Sequence, residues 1–481
     1  MSDKPWQITL AERGRTCPFA RLVNRVVKRG RGARTEGAVL AGRAAGSLSR
    51  MTGRGAGGMV GGRVALKVDP DLLKELSKTH KTVLVTGTNG KSTTTRFTAQ
   101  ALATKGDVAA NLGGDNMTNG IVAALLSDPK AQYAVLEVDE MHLPSIVRET
   151  DPDAIILLNL SRDQLDRVGE IGAVEARLRE AVGLAPNALV VANCDDPLVT
   201  SAAWDAKKVQ WVAAGAAWSQ DSTTFPRTGT LVGRDGDQWR VEDSDDYQRP
   251  TPDWYVEPAE GQGAGEHPAG EHPAEEQSAE EQSAGEQSAG EGSGTGSSFR
   301  LHGPDGRDLL IHLQLPGRAN WGNAAQAAAV AAHFGVTDPD LVRALGAVGG
   351  VAGRYQTYDV SGRKARLLLA KNPAGWQEAL TMIPAGTRQI VTAVNGQPPD
   401  GEDLSWLWDV DFENIRDIAP QRVIAAGERA ADLAVRLEYA GIECSVIPNP
   451  REAIEAMAPG DVQVLANYTA FRDLKKEIER P

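Results

Sequence analysis

The chain has 481 residues, which is enough for two or three domains of ordinary size. Its apolar fraction of 41% and charged fraction of 24% are typical of a globular protein. No apolar run approaches the roughly 20 residues that a membrane-spanning helix needs. The first residues, MSDKPWQITL, lack the layout of a signal peptide, and three scattered cysteines cannot form a disulfide framework. We therefore expect a cytoplasmic protein without membrane spans.

Charge is unevenly distributed along the chain. The formal net charge is −13, yet residues 1–65 contain thirteen Lys or Arg and three acidic residues, whereas residues 261–298 contain eight Glu and no Lys or Arg. The basic, Gly- and Arg-rich segment 1–65 is interpreted either as a solvated flexible arm or as a segment that lies near an anionic lipid surface or nucleic acid. We retain peripheral contact with a membrane as an expectation and expect no nucleic-acid partner.

Residues 66–350 alternate apolar runs with helical stretches. Runs that are apolar throughout and separated by helices are typical of a parallel sheet covered on both faces. Four such runs are KTVLVTG from Lys81, AQYAVLEVD from Ala131, DAIILLNLS from Asp153 and NALVVANCDDP from Asn187. The pattern predicts an α/β domain over 66–350 whose core is a parallel sheet with helices.

An insertion over 206–300 interrupts this pattern. From 258 to 298 it consists largely of tandem pentapeptides such as GEHPA and EEQSA, a composition that cannot bury enough apolar surface to fold. We predict that this stretch is disordered. His267 and His272 occupy equivalent places in successive copies, so we interpret them as by-products of the repeat rather than metal ligands.

The chain returns to regular patterns after the repeat. FRLHG from Phe299 and DLLIHLQL from Asp308 predict a β-hairpin, and the following alanine-rich run predicts a helix that ends at Gly335. Residues 351–481 then show a fresh alternation of strands and helices, which predicts a separate, smaller C-terminal α/β domain of Rossmann-like type. Its strand-like runs are ARLLLAKNP, RQIVTAVNG, QRVIAAGE, ECSVIPNP and VQVLANYT.

The sequence TGTNGKSTTT from Thr86 follows the first strand and opens a helix, which is the context of a phosphate-binding loop. Gly87 and Gly90 allow backbone amides to approach phosphate oxygens, Lys91 supplies a positive charge, and Ser92 can ligate magnesium. Thr88, Asn89 and Thr93 complete the predicted nucleotide-binding loop. Val85 stands where the longer GxxxxGK[ST] loop has glycine, so this is the shorter form GTNGKS.

This shorter loop resembles that of the Mur ligase and folylpolyglutamate synthetase superfamily. Other segments follow in the order of that superfamily: NLGGDNMTNG at Asn111, LEVDE at Leu136, LNLSRDQLDRVGE at Leu158, ANCDDP at Ala192, LPGRANWGNAAQA at Leu315 and GRYQ at Gly353. The resemblance implies a Mur ligase-type ATP-binding domain that uses ATP and Mg²⁺. In such enzymes ATP phosphorylates a carboxylate, and an amine then attacks the acyl phosphate.

The resemblance also implies roles for individual residues. Lys91 and Glu137 are implied to be catalytic, and Glu137 is implied to hold magnesium together with Ser92. The residues implied near the nucleotide, beside the loop, are Asn193, Asp195, Asn320 and Asn323. Asp195 and its neighbour Asp196 could equally cap the helix that begins at Pro197. Because no Lys lies between Asp166 and Lys207, the carbamylated lysine of many Mur ligases has no counterpart.

Several segments resemble a particular branch, the MurT family of ligase-like subunits of lipid II isoglutaminyl synthase. The basic stretch before the first strand is too irregular for a nucleotide-sugar domain, and the C-terminal region carries KNPAGW, DGEDLSWLWDVDFE and YTAFRDL. The resemblance implies amidation of the D-glutamate α-carboxylate of lipid II with ammonia from a GatD-type glutaminase subunit. Cys17, Cys194 and Cys444 lie outside any GxCxG-like elbow, which agrees with ammonia produced elsewhere.

In the family, an acidic residue of the DGxDxSW stretch completes the partner's Cys-His site. We carry that role to Asp403, with Asp409 as second choice; a capping carboxylate for the helix around Trp406 is the alternative. The region 225–253 keeps the frame of a family zinc ribbon, yet Phe225, Thr228, Val241 and Ser244 stand at its ligand positions. We therefore predict no zinc and a small hairpin core with Trp239 and Tyr247.

Two other functions compete with the amidating subunit. A stand-alone Mur or folylpolyglutamate-type ligase would use an amino acid as nucleophile, and the C-terminal segments argue against it. A degenerate ATP-binding scaffold is disfavoured because Lys91, Ser92 and Glu137 are all present.

Overall fold

The computed structural model describes residues 31–51, 58–162, 170–215, 220–259, 296–349, 355–401 and 403–480, and the structural statements below concern these ranges. The pentapeptide repeat and the first thirty residues lie outside the described residues. Their predicted disorder and membrane contact therefore stay predictions. No helix in the described ranges is both long and apolar enough to cross a bilayer.

Fifteen α-helices, five short 3₁₀ helices and seventeen strands form the regular structure of the described residues. The helices are α1 Arg31–Met51, α2 Gly58–Val68, α3 Leu72–Ser77, α4 Lys91–Leu102, α5 Thr118–Ser127, α6 Leu143–Thr150, α7 Glu170–Leu184, α8 Pro197–Ala203, α9 Arg318–His333, α10 Asp338–Gly346, α11 Pro373–Thr381, α12 Glu413–Ile418, α13 Ala430–Tyr439, α14 Pro450–Glu455 and α15 Tyr468–Ile478. The strands are β1 Lys81–Thr86, β2 Val108–Ala110, β3 Tyr133–Glu137, β4 Ala154–Leu157, β5 Leu189–Asn193, β6 Val209–Ala213, β7 Val232–Asp235, β8 Gln238–Val241, β9 Trp254–Pro258, β10 Ser297–Gly303, β11 Arg307–Leu313, β12 Tyr355–Val360, β13 Arg363–Leu369, β14 Gln389–Ala393, β15 Arg422–Ala426, β16 Ser445–Val446 and β17 Gly460–Ala466.

A nine-stranded sheet forms the larger half of the molecule. Its order is β11-β10-β9-β6-β5-β4-β1-β3-β2. In this order, all neighbours between β9 and β2 pair in parallel. At the other edge, β10 is antiparallel to both β9 and β11. Successive residues of β1 enter different cores: Leu84 belongs to one apolar cluster, and Val83 and Val85 belong to the other. Because both faces are buried, the strands need apolar residues throughout. The predicted α/β fold is confirmed.

A second, six-stranded sheet follows, in the order β12-β13-β17-β14-β15-β16. The strands from β13 to β16 pair in parallel, and β12 is antiparallel to β13. Apolar clusters cover both faces, one around Trp376 and Phe412 and the other around Phe471. This part has the doubly covered parallel sheet that the sequence predicts, and a strand lies at each of the five predicted runs from Ala365 onward.

The Gly-rich N-terminal region is helical where it is described, so the interpretation of residues 1–65 as a solvated arm is wrong for 31–51 and 58–65. Helices α1 and α2 pack against each other and against α5, with Ala38, Ala41 and Ala65 buried. Glycine here permits close approach rather than flexibility. A Cβ on Gly61 would lie 2.8 Å from the Gly42 carbonyl oxygen, and one on Gly62 would lie 1.8 Å from the Asn119 carbonyl oxygen.

The predicted hairpin within the insertion is present as the antiparallel pair β7 and β8. Phe225, Trp239 and Val241 are buried together, and Tyr247 packs with its ring centre 4.8 Å from that of Phe225. Two of the four positions that a zinc ribbon would use, Phe225 and Val241, are thus core positions. Apolar packing stabilises this hairpin.

Gly62→Ala should destabilise the protein because the added methyl group meets the backbone of Asn119. We expect a loss of about 2 kcal/mol in the free energy of unfolding, as for other overpacked sites. Gly32→Ala is the matched control, since a Cβ at Gly32 meets nothing within 4 Å and alanine improves helix propensity by up to about 1 kcal/mol. Urea unfolding followed by circular dichroism measures both, and equal midpoints would contradict the packing of α2 on α5.

Candidate active site

The predicted phosphate loop lies between β1 and α4, at the carboxyl edge of the parallel sheet. Gly87 and Gly90 both have positive φ, at 134° and 86°, and Gly90 directly precedes the first residue of α4. A Cβ on Gly90 would lie 2.6 Å from Oδ1 of Asn323. Glycine is therefore required for both conformation and space. The first amides of α4 have no intrahelical acceptor and can bind an anion, as helix N-termini do.

The segment after β4 holds the loop in this shape. The Thr88 amide donates to the Asn159 carbonyl at 2.8 Å, and the Asn159 side chain bonds both the amide and the carbonyl of Asn89, at 3.0 and 3.1 Å. The hydroxyl of Thr88 donates to the carbonyl of Ser161 and accepts from its amide. These bonds use main-chain groups on both sides, and they hold the loop in this conformation.

Asp196, which follows β5, supports the same segment after β4 from the neighbouring strand. Its carboxylate accepts from the Leu160 amide at 2.7 Å and from the Leu198 and Val199 amides at the start of α8. Burial raises the pKa of Asp196 to about 6, although the three amide donors lower it. The residue therefore caps α8, as the alternative interpretation predicted, and also fixes the segment that contacts the phosphate loop.

Lys91 is already engaged in an ion pair. Its Nζ lies 2.8 Å from Oε1 of Glu140 and donates to the carbonyls of Gly87 and Thr88 at 2.5 and 3.2 Å. Burial raises the pKa of Glu140, and the Lys91 charge acts in the opposite direction. A nucleotide phosphate that binds Lys91 would therefore compete with the Glu140 carboxylate for its ammonium group.

Ser92 and Glu137 meet as the resemblance implies. The Ser92 hydroxyl donates to Oε2 of Glu137 at 2.7 Å, and the backbone of Glu137 is fixed by two bonds to the Asn111 side chain, at 2.7 and 2.8 Å. A hydroxyl and a carboxylate oxygen beside a phosphate site are the donors that Mg²⁺ takes, since it prefers oxygen ligands and commonly binds through few protein groups plus phosphate. These residues fit a magnesium ion.

The C-terminal sheet faces the loop across a cavity of about 330 Å³. Asn89 Nδ2 approaches Oδ1 of Asn372 to 3.5 Å across the gap, and Asn372 caps α11. The cavity is lined by Thr88, Asn89, Gly90, Lys91, Ser92, Gly114, Asn116 and Glu137 on the loop side, and by Leu368, Leu369, Lys371, Gly375, Glu378, Ala379, Met382 and Tyr468 on the other. The site therefore lies between the two sheets, with polar groups from both.

The four asparagine and aspartate residues assigned to the nucleotide lie behind the loop rather than in this lining. Asn323 abuts Gly90, and its Nδ2 donates to Oδ1 of Asn320 at 3.3 Å. Asn193 and Asp195 bond the turn at Gly215, at 3.1 and 2.7 Å, and Asp195 also pairs with Arg249 at 2.7 Å. Their assignment to the nucleotide stays a prediction.

The two candidate partner-site acids have different environments. Asp403 is exposed, and its Oδ1 accepts from the Ser405 amide at 2.8 Å, which is the capping contact considered above. Asp409 instead lies 3.4 Å from Arg162 of the larger sheet, and Arg162 also pairs with Asp221 at 2.5 Å. Burial raises the pKa of Asp409, Arg162 lowers it, and Asp221 raises it further. Asp409 thus joins the two halves of the molecule, whereas Asp403 faces outward.

Sequence reasoning missed three residues of the site. Glu140, which pairs with Lys91, stands three residues after Glu137. This second glutamate shortly after the strand was the sequence signal from which its role at the site could have been predicted. Asn159 and Ser161 lie within the recognised segment LNLS, but no residue pattern tells that their side chains turn toward the neighbouring loop. Such contacts depend on strand order, which places β4 beside β1.

Comparison with known proteins agrees with this geometry. The family model of the Mur ligase middle domain matches residues 85–229, and that of the MurT ligase C-terminal domain matches residues 369–471. The chain is 28% identical to "Lipid II isoglutaminyl synthase (glutamine-hydrolyzing) subunit MurT" of Streptococcus pneumoniae over 91% of this chain and 95% of that protein. It is 27% identical to the protein of the same name from Staphylococcus aureus, over 87% and 92%.

Solved structures show the same fold. MurF from Acinetobacter baumannii superposes with a TM-score of 0.60 at 18% identity, over 86% of this chain and 80% of that one. MurF ligase from Thermotoga maritima, solved in complex with ADP, gives a TM-score of 0.55 at 14% identity, over 85% and 81%.

The fold, the loop and the matched middle domain define an ATP-dependent ligase of the Mur type. Within that class the chain is similar to MurT subunits almost end to end, and its residues 369–471 match the family model of the MurT ligase C-terminal domain.

Glu140→Gln should tighten ATP binding, because the nucleotide no longer competes with a carboxylate for Lys91. We expect about a fivefold lower Kd, since replacing a partly buried ion pair costs on the order of 1 kcal/mol. Burial raises the pKa of Glu140, so as pH falls its carboxylate protonates sooner than an ordinary glutamate, and the difference in ATP affinity between variant and wild type should narrow toward low pH. Isothermal titration with ATP across that range measures both effects. Weaker ATP binding by the variant would instead indicate that the Glu140 carboxylate stabilises the ATP-bound protein.

Proposed function

We propose that this chain activates the D-glutamate α-carboxylate of the lipid II stem peptide with ATP and amidates it to D-isoglutamine, using ammonia from a GatD-type glutaminase subunit. The observation that carries the proposal is the cavity between the phosphate loop and the MurT-type C-terminal domain. The names of the MurT relatives supply the substrate and the glutamine dependence, and the word "subunit" supplies the partner. The function belongs to peptidoglycan synthesis.

The chemistry needs little from the protein beyond position and charge. A carboxylate oxygen attacks the γ-phosphorus of ATP and ADP leaves; ammonia then attacks the acyl carbon and phosphate leaves, so no protein nucleophile is required. Lys91 and the first amides of α4 would hold the phosphates, and Ser92 and Glu137 would hold Mg²⁺, which offsets their negative charge. Lys371 and Tyr468 line the opposite wall, so that wall is our proposed place for the acceptor peptide.

The proposal also covers the organisation of the chain. We infer an N-terminal segment over 1–65, an ATP-binding domain over 66–350 with the insertion 206–300, and a partner-contacting domain over 351–481. Asp403 supports the last assignment, since it is an exposed carboxylate on the DGEDLSW segment, free to complete a site on another chain apart from its contact with Ser405. A cytoplasmic location at the inner face of the membrane follows from a lipid-linked substrate.

Lys91→Ala should abolish amidation. The chain, purified with a co-expressed glutaminase, would receive lipid II, glutamine, ATP and Mg²⁺, and mass spectrometry would follow the replacement of a carboxylate by an amide. Because Lys91 is the buried positive charge of the loop, we expect the variant to lose at least about a hundredfold in rate, comparable to other single electrostatic contacts at reacting centres. Lys364→Ala, on the solvent side of β13, is the matched control and should be silent.

The same assay separates the competing functions. If the product carries an added amino acid instead of an amide, a stand-alone ligase is favoured. If the wild-type chain does not turn over ATP, a scaffold is favoured.

Asp403→Asn should impair amidation with glutamine but not with ammonium salt. Asparagine keeps an oxygen that can accept from the Ser405 amide, so the variant removes the charge while preserving the cap. We expect glutamine-driven activity to fall at least about tenfold, as when a residue that orients a catalytic histidine is lost, with ammonium-driven activity unchanged. Asp417→Asn, an exposed acid of the same domain, is the control. Equal loss with both nitrogen sources would refute a role in the partner's site.

A further inference from the structure

Exposed apolar side chains gather on the N-terminal helices and the neighbouring edge of the active-site cavity. We call this surface the rim face and define it by Leu40, Leu48, Met59, Val60, Leu112 and Met117. Each of these side chains is between 42% and 66% exposed. Large apolar residues scattered singly need no explanation, whereas a cluster of them on one side of a monomer marks a surface that contacts something.

Helical spacing places the first four residues on the outside of the α1–α2 pair. The exposed positions of α1 include Glu36, Leu40, Arg43 and Ser47, which recur every three or four residues, and Leu48 beside them, while Ala38 and Ala41 are buried. The stripe therefore points away from the body of the protein.

On α2 the exposed positions are Met59, Val60, Arg63 and Lys67, which again share one side of the helix. The two stripes together present apolar side chains flanked by cations. Glu36 is the acidic residue among these exposed positions.

The rim face continues to the mouth of the cavity. Gly62 on α2 is held against the backbone of Asn119, two residues beyond Met117. Gly114 and Asn116 line the cavity, and the exposed Leu112 and Met117 flank them in the chain. The apolar surface and the active site are therefore adjacent.

We propose that the rim face docks on the surface of an anionic lipid bilayer and turns the mouth of the cavity toward it. Leu and Met side chains flanked by Arg and Lys on a helical face are the pattern of interfacial helices, in which apolar groups enter the headgroup region and cations contact anionic lipid. The inference rests on the proposed function, because a substrate anchored in the bilayer brings its head group to the membrane surface, where an adjacent cavity can receive it.

The observations favour lipid over the glutaminase as the occupant. Among the described residues of α1 and α2, the exposed charges beside the rim face are the cations Arg43, Arg63 and Lys67 against the single acid Glu36, which complements the negative surface of an anionic bilayer. An exposed aromatic pair occurs elsewhere: Trp408, five residues after Asp403, and Tyr439, at the end of α13, have ring centres 5.2 Å apart. Aromatic residues are enriched at the centres of protein interfaces. That pair suits a protein partner, and the rim face suits a membrane.

The test is flotation of the full chain with vesicles of phosphatidylglycerol and phosphatidylcholine, compared with phosphatidylcholine alone. The triple variant Leu40→Ser, Met59→Ser, Val60→Ser should bind the anionic vesicles at least about tenfold more weakly, because three apolar side chains no longer enter the bilayer. The control variant, Val435→Ser with Tyr439→Ser, changes exposed residues of helix α13 and should bind like the wild type. Circular dichroism checks that both fold.

Amidation assays keep this inference separate from the proposed function. With a water-soluble, short-chain analogue of the substrate the triple variant should be as active as the wild type, whereas with substrate embedded in vesicles its rate should fall in step with binding. Unchanged vesicle binding by the triple variant would overturn the inference. It would also be overturned if the triple variant no longer bound the glutaminase, or if vesicle binding depended on residues 1–30 alone. If the wild type floats but makes no amide, the proposed function fails while the membrane contact stands.

Discussion

The bonds between the phosphate loop and the segment after β4 are the constraint on which the site depends. Parallel pairing of β4 with β1 brings Asn159 beside Asn89, where one amide side chain satisfies both main-chain groups of its neighbour. A loop in a left-handed conformation has few other ways to keep its polar groups bonded. Strand order thus fixes the loop, the loop fixes the start of α4, and the start of α4 fixes Lys91 and Ser92.

Charged groups at the cleft are paired with one another. Lys91 is held by Glu140, and Arg162 is shared between Asp221 of the inserted region and Asp409 of the C-terminal sheet. A nucleotide phosphate that binds Lys91 would compete with the carboxylate that already pairs with it, so binding involves an exchange of ionic partners. The low exposure of Lys91 and Glu140, at 15% each, makes that exchange matter energetically, because partly buried charges are poorly screened by salt.

The sequence predicted most of the architecture and the central part of the site, because both are local. Strands buried on two faces must be apolar throughout, so Val83 to Val85 were recognisable, and the glycines of the loop require a backbone that Gly87 and Gly90 adopt. The N-terminal region was misinterpreted since Gly42, Gly61 and Gly62 look alike whether they serve flexibility or close packing. The bridge from Arg162 to Asp409 could not be foreseen, because it spans two sheets distant in sequence.

The pentapeptide repeat connects two adjacent strands of the larger sheet, β9 and β10. Pro258 at the end of β9 pairs with Phe299 of β10 in antiparallel register, so the two ends are held side by side by the sheet itself. The free energy of closing a chain between fixed ends grows only by about 0.6 kcal/mol for each doubling of its length. The number of pentapeptide copies can therefore drift during evolution at almost no thermodynamic cost, and the same point would accept a foreign domain or an affinity tag.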